Sequence, residues 1–151
     1  MPKIIVSDTS CLIILHKISK LDLLKSLFGE IAITKTIASE FGKEIPNFIK
    51  IENPKEKKYK KVLELLLDSG EASAIALSLE KDDSLLILDD AKARREAEQL
   101  NLNYTGTLGI LIIAKKKGLI NSITEIIEEI RKTDFRISEA FIKAAKKLCG
   151  E

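Results

Sequence analysis

The chain has 151 residues, with 25 basic and 23 acidic side chains, a formal net charge of +2, and 45% hydrophobic against 32% charged residues. That length suits one domain with its own core, and that composition excludes intrinsic disorder. No apolar run reaches the roughly 18 residues needed to span a bilayer, and Asp8 interrupts the first apolar stretch too early for a signal-peptide core, so the expectation is a single soluble, cytoplasmic domain over 1–151.

Lys3 to Ser7 reads as a short buried strand. Asp8, Thr9 and Ser10 form a turn into a helix over Cys11 to Lys17, with Thr9 or Ser10 as its N-cap. A second helix runs from Leu21 to Phe28 and stops at Gly29. Ile31 to Ile33 is a strand, after which Thr34 or Thr36 caps a helix through Ile37, Glu40 and Phe41 to Gly42. Residues 43–55, with Pro46 and Pro54, read as an exposed connection holding an edge strand around Phe48 to Ile51. Five lysines between 55 and 61 lead into a helix over Val62 to Leu67, which Asp68, Ser69 and Gly70 break. Glu71 to Leu79 is an alanine-rich helix, and Leu85 to Leu88 is the clearest strand, closed by Asp89 and Asp90. A helix follows from Ala91 to Leu100, then a strand over Asn103 to Thr105, a turn at Gly106 and Thr107, and a helix from Leu108 to Lys117. Ile123 to Lys132 and Ser138 to Leu148 are amphipathic helices, the last with Phe141, Ile142, Ala145 and Leu148 facing inward. Short apolar strands alternating with helices predict an α/β fold built on a parallel sheet.

In such a sheet, ligands gather beyond the carboxyl ends of the strands. Asp8 ends the first strand, and Asp89 and Asp90 end the strong one. Glu71 opens the alanine-rich helix directly after Gly70. Glu40 stands three residues from Ile37 and leans toward that helix's buried face, where an acid needs a partner or a cation. Each acid alone reads blandly, as a turn, a cap or a first-turn charge. Together at one sheet edge they would repel each other unless a divalent cation neutralised them. Oxygen-only donors suit Mg²⁺ or Mn²⁺ rather than Zn²⁺, and such clusters serve in-line hydrolysis of phosphodiesters. The single His16 excludes a multi-histidine metal site, and Cys11 and Cys149 lack the spacing of a zinc or disulfide framework, reading as buried or incidental thiols.

Five segments carry a resemblance: Val6 to Ile13, Ile37 to Phe41, Gly70 to Leu77, Leu86 to Arg94, and Thr105 to Leu111. In this order the chain resembles the PIN-domain family of metal-dependent nucleases, and within it the VapC-like toxins. The resemblance implies a three-layer fold with a central parallel sheet of about four to five short strands. By position, Asp8 matches the first metal-binding aspartate with Ser10 as the nearby hydroxyl, and Glu40 the second acid. Glu71 stands where many relatives carry aspartate. The fourth acid falls in Asp89-Asp90; the family's Thr-x-Asp pattern aligns with Leu88-Asp89-Asp90 and favours Asp90, but the usual threonine is missing and both stay candidates. The implied set is therefore Asp8, Glu40, Glu71, Asp89 and Asp90 for catalysis, with Asp8, Glu71 and Asp90 as metal ligands. The implied activity is Mg²⁺- or Mn²⁺-assisted hydrolysis of RNA, the implied partner a small cognate antitoxin protein, and the implied assembly a homodimer, with no membrane involved.

Arg94, one turn past Asp90, suits either a substrate phosphate or an i, i+4 pair with Glu98. The lysine runs at 55–61 and 115–117 read as solvated helix faces before they read as an RNA track. A second function class stays open, a non-catalytic module that keeps the fold and works through protein contacts. Neither GxGxxG nor GxxxxGK[ST] occurs, which argues against a nucleotide-binding α/β protein.

Overall fold

The computed structural model describes residues 4–151, so Lys3, expected at the head of the first strand, lies outside them. Five strands form one parallel sheet: β1 (Ile4–Ser7), β2 (Ile31–Ile33), β3 (Ile49–Ile51), β4 (Ser84–Ile87) and β5 (Asn103–Thr105). Among the described residues nine helices flank it: α1 (Thr9–Lys17), α2 (Asp22–Phe28), α3 (Lys35–Phe41), α4 (Lys57–Leu63), α5 (Ser69–Leu79), α6 (Ala91–Gln99), α7 (Thr107–Lys116), α8 (Ile123–Arg131) and α9 (Glu139–Leu148). The expected α/β architecture is what the chain adopts.

The strand order is β3-β2-β1-β4-β5, and every pairing is parallel. β1 and β4 run side by side with Ser7 opposite Ile87. From β1 the chain moves outward to β2 and β3; from β4 it moves the other way to β5. The sheet therefore has its topological switch between β1 and β4, and Asp8 and Asp89 emerge there. Val6, Leu86, Ile87 and Leu88 are fully buried, as a sheet covered on its faces requires. In α5, Ala72, Ala74, Ile75, Ala76 and Leu77 are also fully buried. A helix enclosed on all sides needs small residues, which explains the alanine content of this segment.

Local readings differ at four places. The N-cap of α1 is Asp8, whose carboxylate accepts a bond from the Cys11 amide at 2.9 Å, not Thr9 or Ser10. Three cap-forming residues stand in a row, and the helix begins at the first because Ser7 is still paired in the sheet. The lysine-rich stretch is itself helical in α4, which ends at Leu63 rather than beginning at Val62. Only Leu63 and Leu67 turn inward there, while Leu65 is 83% exposed. Asp68 does more than break a helix: its carboxylate caps α5 through the Glu71 amide at 2.9 Å, so the helix begins at Ser69. In α9, Ile142 and Ala145 are buried, but Phe141 and Leu148, expected inward, are 61% and 60% exposed.

These placements predict opposite outcomes for two leucines. Leu86→Ala empties the sheet centre and should cost about 2–5 kcal/mol in urea unfolding, whereas Leu65→Ala should stay within about 0.5 kcal/mol. Equal losses would contradict the end assigned to α4.

Candidate active site

Asp8 follows directly on β1, its backbone N–H still bonded to the Ile87 carbonyl at 2.9 Å. Its side chain is 3% exposed. One carboxylate oxygen accepts from Cys11 N at 2.9 Å and the other from Asp89 N at 3.0 Å. One acid thus caps α1 and ties down the segment leaving β4. Burial, reinforced by the neighbouring charges of Asp89 and Glu71, pushes the Asp8 carboxyl up to about 7 against the two backbone bonds that favour its ionised form.

Glu71 lies in the first turn of α5, half-buried. Its carboxylate accepts no hydrogen bond among the described residues, and burial together with the charges of Asp68, Asp90 and Glu40 pushes it up to about 7. Asp90 caps α6 through the Ala93 amide at 3.0 Å with one oxygen, leaving the other exposed to solvent.

Asp89 differs from Asp90. Its two oxygens accept from Thr107 N at 2.8 Å and Thr107 Oγ1 at 2.6 Å. Gly106, the N-cap residue of α7, has no side chain to cap with, and Asp89 does so from across the sheet edge. A Cβ on Gly106 would displace the Arg94 guanidinium and the Asp89 carboxylate from their present positions.

Glu40 is exposed, not leaning into the core. It nevertheless reaches the same region. Thr9 Oγ1 donates to its carboxylate at 2.5 Å, and a Cβ on Gly70 would collide with that carboxylate. Behind it, Ser73 Oγ donates to the Gly70 carbonyl at 2.7 Å and lies 2.6 Å from Thr34 Oγ1, joining the cap of α3 to the start of α5. Ser10 is exposed in the first turn of α1, without a side-chain hydrogen bond among the described residues. Arg94 does not pair with Glu98. Its Nε donates to the Leu88 carbonyl at 2.7 Å, and the guanidinium lies 5.6 Å from the Tyr104 ring centroid. In sequence, Thr9 stood out only as a possible helix cap, and Ser73 and Thr107 carried no assigned contact. Of those two, only Thr107 carried a signal, a hydroxyl directly after a glycine at a helix start.

Among the described residues no three or more His, Cys, Asp or Glu side chains are already drawn together around one ion position. The donor set still fits a hard cation. Asp8 and Glu71 repel neighbouring carboxylates and are hard to ionise without a counter-charge, and every donor is oxygen. Mg²⁺ in particular takes one or two carboxylates and completes its shell with waters and phosphate oxygens, so a closed protein cage is not required. His16 is exposed with its ring edge-on to Phe41, and Cys11 is buried beneath Asp8, its thiol pushed up by burial.

Asp8 and Glu71 both hold protons more tightly folded than unfolded, from ordinary values of 3.8 and 4.5 to about 7. Their contribution to stability is therefore complete below about pH 4 and is lost as pH rises through about 7. Metal-free protein should melt at a lower temperature at about pH 8 than at about pH 5. Saturating Mn²⁺ should stabilise it increasingly over the same range, and Asp8→Asn should flatten both trends. A metal-free melting temperature that climbs through this window would contradict the electrostatics described.

No curated protein matches the chain. A family model described as a PIN domain matches residues 4–151, every residue of the structure described above. PIN domains are in general nucleases, and on that match the chain belongs to the PIN-domain family.

Proposed function

We propose that this protein is a divalent-metal-dependent endoribonuclease that hydrolyses RNA phosphodiester bonds, and that it is the toxin of a toxin–antitoxin pair. The observation that carries the reading is the buried Asp8 carboxylate at the switch point of a PIN-family sheet, bonded to the Asp89 amide and near enough to Glu71 for the two charges to repel. Asp8, Glu71 and Asp90 would hold Mg²⁺ or Mn²⁺. When bound, the ion supplies Lewis-acid stabilisation of the charge that builds on a phosphodiester under in-line attack.

The chain's own residues do the rest. Asp89, spent on Thr107, keeps the start of α7 and the Asp8 carboxylate in fixed relation. Glu40 keeps an oxygen free of Thr9 and is the carboxylate open to take a proton from the attacking water. Arg94, anchored by Nε, presents its terminal nitrogens for a phosphate oxygen, a task its planar fork suits. Ser10 offers an exposed hydroxyl from the first turn of α1.

Protein contacts, with a small antitoxin or a second copy in a homodimer, are supported by exposed apolar side chains on and after α4. Tyr59 is 52%, Val62 63% and Leu65 83% exposed. The same exposed apolar side chains suit a second reading, a non-catalytic module acting through protein contacts. Calorimetric titration with Mn²⁺ separates the two, since the module binds none.

Cleavage of single-stranded RNA should require Mg²⁺ or Mn²⁺ and stop in chelator. Asp8→Asn should lower the rate at least about 100-fold, and Glu40→Gln about 10²- to 10⁴-fold, with unchanged circular dichroism. Undiminished cleavage in chelator, or none with either metal, would overturn the nuclease reading.

A further inference from the structure

Beside the acids lies an open cleft of about 470 Å³, between the β5–α7 turn and the C-terminal segment. That volume falls in the range of small-molecule binding clefts. Its lining includes Asp89, Arg94 and Tyr104 on the site side, and Phe135, Arg136 and Phe141 on the far side. Asp89 is the only acid in that lining, and each of its oxygens accepts a bond from Thr107. Phe141 leaves 61% of its surface exposed at the cleft although its helix buries Ile142 and Ala145. The half-buried Arg94 guanidinium lies over the Tyr104 ring, 5.6 Å from its centroid. Arg136 is anchored by one terminal nitrogen to the Thr133 and Phe135 carbonyls, at 2.9 and 3.3 Å. Among the described residues, neither Arg94 nor Arg136 stands in an ion pair.

We propose that this cleft takes one nucleobase of the RNA strand next to the scissile phosphate, stacked between Phe141 and the Arg94 guanidinium, with Arg136 on a flanking phosphate. The proposal rests on the phosphodiesterase reading above and adds a base-binding subsite to it. Planar aromatic and guanidinium faces bind unstacked bases, and unpaired arginines bind the phosphates between them. An apolar protein segment would have no use for two unpaired arginines. A strand seated here also runs directly onto Asp89 and so onto the acids at the switch point.

Steady-state cleavage of a short single-stranded RNA by the full-length protein in Mg²⁺ tests this, with Phe141→Ala and Arg136→Gln compared with wild type. Loss of one base–aromatic stack should raise KM about 5- to 150-fold for Phe141→Ala, with kcat and calorimetric Mn²⁺ affinity near wild type. Arg136→Gln should raise KM in the same sense. Wild-type protein should show the Phe141→Ala defect on RNA made abasic at one position beside the cut, and that lesion should cost Phe141→Ala nothing further. Unchanged KM in both variants, with RNA still cut by wild type, overturns the subsite and leaves the nuclease reading standing. Unchanged KM with an altered mass of Phe141→Ala in light scattering makes the cleft a contact between copies and equally overturns it. If wild type cuts no RNA with either metal, the nuclease reading fails and the subsite fails with it.

Discussion

A single buried carboxylate, that of Asp8, ties together the segments that meet where the sheet reverses its strand order. It accepts one backbone N–H from Cys11 and one from Asp89, residues separated by most of the sheet's connectivity. Those two bonds start α1 and fix the exit of β4 at the point where the strand order reverses. Burial would normally exclude a charge from such a place, and two amide donors offset only part of that cost. The remainder appears as a carboxyl held far above its ordinary range, beside a second one on Glu71. The fold thus maintains a local electrostatic deficit that a hard cation would relieve.

Around that deficit the other acids divide the work according to what their oxygens touch. Asp89 accepts one bond from Thr107 on each oxygen and caps α7. Asp90 caps α6 with one oxygen and keeps the other in solvent. Glu40 is fixed by Thr9, the residue next to Asp8, and rests over Gly70 where only a missing side chain leaves room. Adjacent carboxylates of identical chemistry are therefore not interchangeable. Helix capping selects which oxygen remains available for a ligand.

Much of this was legible in the sequence. Apolar runs at Ile4 to Val6 and Leu85 to Leu88 gave the two central strands, and their terminal acids indicated the sheet edge at which chemistry would gather. Asp8, Glu71 and Asp90 were legible as boundary residues, and each does stand where one element meets the next. What escaped depended on contacts between segments far apart in the chain. The helix periodicity of Val62 to Leu67 was outweighed by the packing of Leu63 and Leu67 alone, and the inward face assigned to α9 stopped short of Phe141 and Leu148. The Asp89–Thr107 cap spans 18 residues and the Thr9–Glu40 bond 31, distances over which spacing carries no information. Arg94 illustrates the same limit. Helical spacing offered it Glu98, but the sheet presented the Leu88 carbonyl and the Tyr104 ring instead.

The central claim is that Asp8 and Glu71 share one hard cation at the switch point between β1 and β4. Paramagnetic broadening of backbone amide resonances by Mn²⁺ tests it without any assumption about substrate. The account predicts strong broadening centred on the amides of Asp8, Glu71 and Asp90, with those of α8 untouched. Broadening confined to exposed acids away from the switch point, such as Asp82 and Asp83, or none anywhere, would contradict it.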